Sequence, residues 1–196
     1  IEGLPEYTQV VYIYEDTDNG IIMFSTQIGL FVIKDGKRDL LTRFNDIDLG
    51  VIEGVTKDDD GTYWLSGHKG VLKYDLKTPL PVHDKTLPQA LTYTIEKDSF
   101  GGIWVTSDEG LFFRAKDSPE FVPGLPEEIN SSANSIIIMD DTHILAGRVS
   151  DICIIDLEKL YRKEKNYYRI YDKNDGFEGK DCLDNGIIKD KSGKFW

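Results

Sequence analysis

The chain has 196 residues, of which 40% are hydrophobic and 11% aromatic, a composition that suits a folded domain and argues against disorder. Its 35 acidic and 23 basic residues give a formal net charge of -12, which argues against a nucleic-acid partner and against docking on an anionic membrane surface. The apolar runs are only a few residues long, so no direct membrane insertion is expected. Two cysteines, Cys153 and Cys182, are too few for a disulfide framework, and the fold must therefore be stabilised by packing.

One phrase recurs along the chain with a period near 40 residues. It reads D-x-x-G-x-x-W-x-[ST]-x-x-x-G-[LV], and two full copies run through residues 58–72 and 98–112, while a last copy stops at Trp196. Such regular self-similarity is the signature of a repeat protein. The tryptophan position of the first four copies is spaced by 41, 40 and 40 residues and holds Met23, Trp64, Trp104 and Ile144.

Each copy predicts the strands of one small sheet. A β-rich run precedes every Asp-x-x-Gly turn and another follows it, so the pair reads as a hairpin in which glycine supplies a positive φ. A second turn leads into a third strand, and the remaining 15 or so residues suit a weaker fourth strand. Four antiparallel strands per repeat predict the blade of a β-propeller. The positions assigned to this repeat framework are Gly20, Gly29, Gly61, Trp64, Gly70, Gly101, Trp104, Gly110, Gly193 and Trp196.

The predicted fold is therefore all-β, with about four propeller blades plus a partial one in a single unit over residues 1–196. Between Ile144 and Trp196 the spacing rises to 52, which predicts an insertion over about 156–175. Residues 156–165 of that insertion predict a short helix with Asp156 as its N-cap. We expect Trp64 and Trp104 to fill the wedge between blades, with stacking on a ligand as the alternative. The repeat units are placed at about 5–45, 46–86, 87–125, 126–156 and 176–196.

These phrases resemble the two-component regulator propeller repeats found in the sensor regions of bacterial and hybrid sensor histidine kinases. Such repeats typically open with Gly-Leu-Pro, which stands here at residues 3–5 and 124–126. The run Asp-Gly-Phe-Glu-Gly at 175–179, followed by Asn-Gly-Ile at 185–187, is similar to a phrase near the end of such propellers. The resemblance implies a propeller of about seven blades, which the remaining blades of a parent protein would complete. It also implies a periplasmic location in an inner-membrane protein, a kinase module elsewhere in that protein, and the sensing of a small-molecule or oligosaccharide ligand.

Groups suited to catalysis are sparse in the sequence. The three histidines stand at unrelated repeat positions, and neither a paired-histidine metal motif, a nucleophile elbow nor a phosphate loop is present. Asp58 and Asp60 imitate the start of an EF-hand loop, but Gly67 stands where that loop needs a carboxylate, so turn roles are favoured. We therefore predict no catalytic residue, no metal and no cofactor in this segment.

The turns between second and third strands should open on one face of every blade and so form a common rim. Propeller ligands usually meet such a rim, although ordinary solvated turns are the simpler interpretation. Three functions stay open: a sensory binding module, a lyase or glycan-cleaving enzyme using His68, Asp108 and Glu109, or a scaffold that binds another protein or forms a homodimer. The candidate ligand-binding residues at this rim are His68, Lys69, Asp108, Glu109 and Arg148.

Overall fold

The structure, a computed structural model, describes residues 7–41, 49–87, 90–179 and 182–196. These residues form four antiparallel sheets, each built from four consecutive strands in chain order, and the prediction of all-β propeller blades is confirmed. The first sheet contains β1 (Val10–Asp16), β2 (Ile21–Thr26), β3 (Gly29–Lys34) and β4 (Lys37–Leu41). The second contains β5 (Ile52–Lys57), β6 (Tyr63–Gly67), β7 (Leu72–Tyr74) and β8 (Val82–His83).

The third and fourth sheets repeat this plan. The third contains β9 (Thr92–Lys97), β10 (Ile103–Ser107), β11 (Gly110–Arg114) and β12 (Val122–Pro123). The fourth contains β13 (Ala133–Ile138), β14 (His143–Arg148), β15 (Ile152–Asp156) and β16 (Tyr168–Tyr171). A further hairpin turn follows near the end of the chain, where Lys189 bridges Phe195, and it corresponds to the predicted partial blade.

A shared hydrogen-bond pattern explains why the repeated phrase forms a hairpin. One carboxylate oxygen of Asp98 accepts the backbone N–H groups of Phe100 at 2.9 Å and Gly102 at 2.8 Å, and so closes the turn. Gly101 completes the turn with a φ of +83°, in the left-handed region that favours glycine. The other oxygen of Asp98 accepts the indole N–H of Trp104 at 2.8 Å. The aspartate of the phrase therefore both closes the turn and fixes the tryptophan ring.

Neighbouring sheets pack face to face. Separate hydrophobic clusters lie between the first and second, second and third, and third and fourth sheets. Trp64 is 2% exposed and Trp104 0%, and each packs in the cluster between its own sheet and the next. The wedge role is thus confirmed, and such burial leaves neither ring free to stack on a ligand.

The inner strands β1, β5, β9 and β13 pack next to one another along the axis. Each carries a register shift near its start where it pairs with the second strand of its sheet. Such bulges increase local twist and re-aim side chains, and they give the same bend to every blade. Within the described residues, no helix has the length and apolar character needed to cross a membrane.

The segment after β15 differs in part from its prediction. The helix α1 (Leu157–Tyr161) is present, and Asp156 caps it by accepting the backbone N–H of Lys159 at 3.0 Å. However, β16 pairs with β15 as the outer strand of the fourth sheet, so this sheet extends beyond residue 156. The extra chain length is a helical detour between the third and fourth strands of one blade, because α1 lies before the outer strand and not after it.

Candidate functional site

Two of the predicted rim turns fold over the beginnings of inner strands. The backbone N–H of His68 donates to the carbonyl of Val51 at 3.0 Å, just before β5. In the next repeat the N–H of Asp108 donates to the carbonyl of Leu91 at 3.2 Å, just before β9. Both turns therefore lie at the same end of the inner strands, close to the axis.

Four charged or polar side chains lie at this end of the molecule in the neighbourhood of the phenol of Tyr93. Burial raises the pKa of Tyr93, and the negative charges of Asp184, Asp108 and Glu53 raise it further. Glu53 in turn contacts His68, whose Nε2 lies 3.2 Å from its Oε1. We call Glu53, His68, Tyr93, Asp108 and Asp184 the rim cluster. A half-buried phenol among three carboxylates and one imidazole can donate to and accept from a polar ligand, and the cluster attracts positive charge and hydroxyl donors.

An asparagine ties the inner strands together beside the rim cluster. Asn185 donates its Nδ2–H to the carbonyl of Glu53 at 3.1 Å, and the hydroxyl of Thr94 donates to its Oδ1 at 2.9 Å. Its backbone N–H donates to the carbonyl of Asn134 at 3.3 Å, so one residue bonds to inner strands of three sheets. Asn185 has a φ of +53°, a left-handed conformation that asparagine tolerates better than most residues.

The structure brings together only some of the residues predicted from the rim turns. His68 and Asp108 belong to the rim cluster, whereas Lys69 and Glu109 are exposed in the same turns and are not among the charges acting on Tyr93. Arg148 differs more, because its side chain is buried. Its Nε and Nη2 donate to the two carboxylate oxygens of Asp151 at 2.6 and 2.9 Å, and Nη1 donates to the carbonyl of Ile129. Arg148 therefore holds its own loop in place and is not positioned to meet a ligand.

The sequence contained a signal for the residues that the prediction missed. Glu53 and Tyr93 each precede the turn aspartate of their repeat by five residues, and Asn185 precedes Asp190 by five. In the second and third repeats this position is the second residue of the inner strand, and in the last repeat it is the asparagine that bonds to three inner strands. The same spacing in three repeats therefore marks this end of the molecule. Asp184 could not be found in this way, because it reaches Tyr93 only through the path of the segment after the fourth sheet.

Metal binding requires side chains of ligating type grouped close together. In the ranges that the structure describes, no three His, Cys, Asp or Glu side chains are grouped so that they could hold an ion. The rim cluster can therefore bind a ligand through hydrogen bonds and electrostatic attraction.

Among protein-family models, curated proteins and solved structures, only the solved structures match the chain. No protein-family model matches the sequence, and no curated protein matches it. Among solved structures, the chain is similar to the extracellular domain assigned to the hybrid two component system BT3049 from B. thetaiotaomicron, with a TM-score of 0.78 and 20% identity, over 100% of this chain and 27% of that one. It is also similar to the extracellular domain assigned to the one component system BT4673 from B. thetaiotaomicron, with a TM-score of 0.73 and 17% identity, over 98% of this chain and 26% of that one.

A third similar structure is a streptogramin B lyase, with a TM-score of 0.64 and 16% identity, over 88% of this chain and 57% of that one. At these identities the likeness concerns the fold: the chain is built of β-propeller blades. It is the architecture of the extracellular domains of bacterial two-component sensors, as the repeat phrases indicated. The chain spans about a quarter of the length of the two sensor domains.

Proposed function

We propose that this chain is a non-catalytic, ligand-sensing segment in the periplasmic region of a two-component sensor, whose parent is an inner-membrane histidine kinase. The observation that carries this proposal is the rim cluster, which gathers side chains from three repeats at one end of a sensor-type propeller. The likeness to extracellular sensor domains supports the location and the class of protein.

The connections of the rim cluster suit the transmission of a signal. Asn185 bonds to the inner strands of three sheets, and its neighbour Asp184 is one of the charges on Tyr93. A ligand that contacts Tyr93 and Asp184 would therefore bias the position of the segment that holds the blades together. Signalling of this kind requires that the ligand bind one position of this segment more tightly than another, because a ligand shifts a conformational equilibrium only through such a difference in affinity.

The chemistry of the rim cluster favours a neutral or cationic ligand that carries several hydroxyl or amine donors. The carboxylates of Glu53, Asp108 and Asp184 accept hydrogen bonds, and the ring of Tyr93 offers a partly exposed apolar face. A neutral oligosaccharide has both properties, with hydroxyl groups at its edges and C–H groups on its faces.

Calorimetric titration of the chain with a panel of neutral oligosaccharides tests this proposal. We expect saturable binding without product formation, and a loss of affinity of about tenfold or more in Tyr93→Ala and Asp108→Ala, the size expected for one lost buried contact. Glu128→Ala removes an exposed carboxylate outside the rim cluster and is the matched control. The rim assignment would be contradicted if Glu128→Ala weakened binding as strongly as Asp108→Ala. It would also be contradicted if no sugar of the panel showed saturable binding.

A second candidate function is catalysis. The likeness to a streptogramin B lyase and the contact between His68 and Glu53 are the observations that favour it, because a carboxylate that orients an imidazole is a common acid–base arrangement. Chromatography of the titrated mixtures separates the two candidates. Products that form with the unmodified chain and vanish in His68→Ala would replace the sensing proposal by an enzymatic one.

A further inference from the structure

A polar cleft of about 620 Å³ opens between the first and second sheets, away from the rim cluster. Its lining includes Asn19 from the β1–β2 turn, Asp60 from the β5–β6 turn, and Lys77 from the β7–β8 connection. These connections join first to second strands and third to fourth strands. Since neighbouring strands are antiparallel, they lie at the opposite strand ends from the turns that carry His68 and Asp108. The cleft is thus a separate feature on the other face of the blades.

The turn beside the cleft departs from the repeated phrase. Where the phrase is intact, the indole N–H reaches back six residues to the turn aspartate, as between Trp64 and Asp58 at 3.2 Å. The first repeat has Met23 at that position, and methionine is both shorter and without an N–H group. Its turn carboxylate, Asp16, instead accepts the hydroxyl of Tyr63 from the second sheet, at the wall of the cleft. Met23 and Asp16 are both buried, so Tyr63 takes the place of the indole at this turn and forms part of the wall of the cleft.

In the other repeat without a tryptophan, a helix covers the space next to the sheet. In the fourth sheet Ile144 stands at the tryptophan position. The helix α1 follows β15 there, and its buried Leu157 packs in the same cluster as Ile144 and donates its backbone N–H to the carbonyl of Thr142 at 2.8 Å. Within the described residues, no element covers the cleft beside the first sheet in this way.

Some charged side chains of the cleft have partners of opposite charge or hydrogen-bond donors among the described residues, and others do not. Asp59 is bound by Lys97 of β9 at 2.8 Å and by Lys116 of the β11–β12 connection at 2.6 Å. Lys57 is bound by the buried Asp16 at 2.8 Å. The carboxylate of Asp75 accepts backbone N–H groups of its own loop.

Two lysines at the cleft lack such partners. Lys34 ends β3 and Lys77 follows Asp75, and both line the cleft with exposed side chains. In the part of the chain that the structure describes, neither ammonium group forms a salt bridge or a side-chain hydrogen bond. The cleft therefore presents two ammonium groups that form no salt bridge among the described residues, beside the acceptor oxygens of Asp60. Backbone hydrogen bonds lower the pKa of the neighbouring Asp75, and the charge of Lys77 lowers it further.

We propose that this cleft is a second binding site, which takes a small hydroxyl-bearing organic anion of about the size of a sugar acid. Lys34 and Lys77 bind its carboxylate, and Asp60 and Asn19 bind its hydroxyl groups. The volume lies in the range of about 300–1,000 Å³ that is usual for small-molecule sites. Charge-assisted hydrogen bonds to lysine supply selectivity for the anion over a neutral analogue of the same shape. This site does not depend on the rim cluster or on its ligand.

Titration calorimetry with D-glucuronate, and with D-glucose as the neutral probe of matched shape, tests the site. We expect the 196-residue chain to bind glucuronate saturably and glucose at least about tenfold more weakly, with the difference shrinking as salt is added. Lys34→Ala and Lys77→Ala should each weaken glucuronate binding about fivefold or more, since each removes one charge-assisted bond. Lys165→Ala, which removes an exposed lysine beyond α1, should leave it unchanged.

Further variants test whether the cleft itself holds the anion. Lys34→Glu should abolish glucuronate binding through charge repulsion, and circular dichroism checks that this variant folds. Tyr93→Ala should keep full glucuronate affinity, which separates this site from the rim cluster. Equal affinities for glucose and glucuronate, no saturation by glucuronate, or an equal effect of Lys165→Ala would each overturn the proposal.

Discussion

At the scale of single residues, the turn aspartate is the most connected group of the repeated phrase. Asp98 is 2% exposed and serves the backbone of its turn, the indole of Trp104 and the hydroxyl of Tyr161. In the first repeat the equivalent Asp16 is just as buried. Burial alone would raise its pKa, but hydrogen bonds from Lys57, Tyr63 and Asn19 outweigh it and hold the pKa well below the usual range. The aspartate thus links strands within a sheet and sheets to one another.

Asp98→Ala tests this role. Because it leaves the buried indole N–H of Trp104 and the N–H of Gly102 without acceptors, we expect the free energy of unfolding to fall by about 3 kcal/mol. Urea unfolding followed by circular dichroism measures the change. Asp190→Ala is the matched control, since Asp190 makes the same bonds to an exposed Trp196 that water can replace. A loss in Asp190→Ala as large as that in Asp98→Ala would show that the bonds do not depend on burial.

At the scale of elements, the helix α1 fastens the fourth sheet to the third. Its Tyr161 stacks on Phe100 with ring centroids 4.6 Å apart and meets the edge of Phe113 at 5.6 Å. The fit is tight on the side of Gly102, where a Cβ would collide with the hydroxyl of Tyr161 and the ring of Phe113. A glycine in the hairpin and a tyrosine in the helix are therefore matched across the two sheets.

Substitutions at Tyr161 separate the two parts of this contact. Tyr161→Phe loses only the hydrogen bond to Asp98, which we expect to cost about 1 kcal/mol. Tyr161→Ala also loses the ring contacts and should cost about 3 kcal/mol. Urea unfolding again provides the measurement. Tyr171→Ala, which removes a partly exposed ring of the outer strand β16, should cost clearly less; a similar loss there would mean that α1 is not the fastening element.

At the scale of the whole molecule, the inner strands bring together residues that are distant in sequence. The carboxyl group of Glu96 on β9 has no hydrogen-bond partner among the described residues, and burial raises its pKa to about 7. Burial also raises the pKa values of Tyr12 and Tyr14 on β1, and the charge of Glu96 adds to both shifts. These two phenols therefore lie in the neighbourhood of Glu96, although more than eighty residues separate them from it in the chain.

This arrangement predicts a pH dependence of stability. The unfolded chain releases the proton of Glu96 near pH 4.5 and the folded chain near pH 7, so between these values the folded state binds more protons and stability falls as pH rises. The loss should reach about 3 kcal/mol above pH 7 and vanish below pH 4.5. Urea unfolding of Glu96→Gln and the unmodified chain at pH 5 and pH 8 measures the difference. Equal pH profiles for the two proteins would contradict it, and Glu128→Gln is the exposed control.

The surfaces at the two ends of the row of sheets carry exposed apolar side chains. Ile13 and Ile22 lie on the face of the first sheet that points away from the second, and Leu183, Ile188 and Trp196 are exposed near the last hairpin. Inside the row, the corresponding faces are buried between sheets. Such faces suit packing by a further blade or by a second copy of the chain, so the homodimer stays a prediction.

Local chemistry alone determined most of the fold. The period of about 40 residues, the Asp-x-x-Gly turns, the wedge tryptophans and the capped helix at Asp156 follow from strand alternation, turn preferences and capping, which act over a few residues. The tertiary structure decided what the turns meet: Arg148 paired with Asp151, Tyr93 near carboxylates of its own and of other repeats, and the pairing of β16 with β15 as the outer strand of the fourth sheet. These depend on distances between blades, and such distances are set by packing across sheets, to which no short stretch of sequence corresponds.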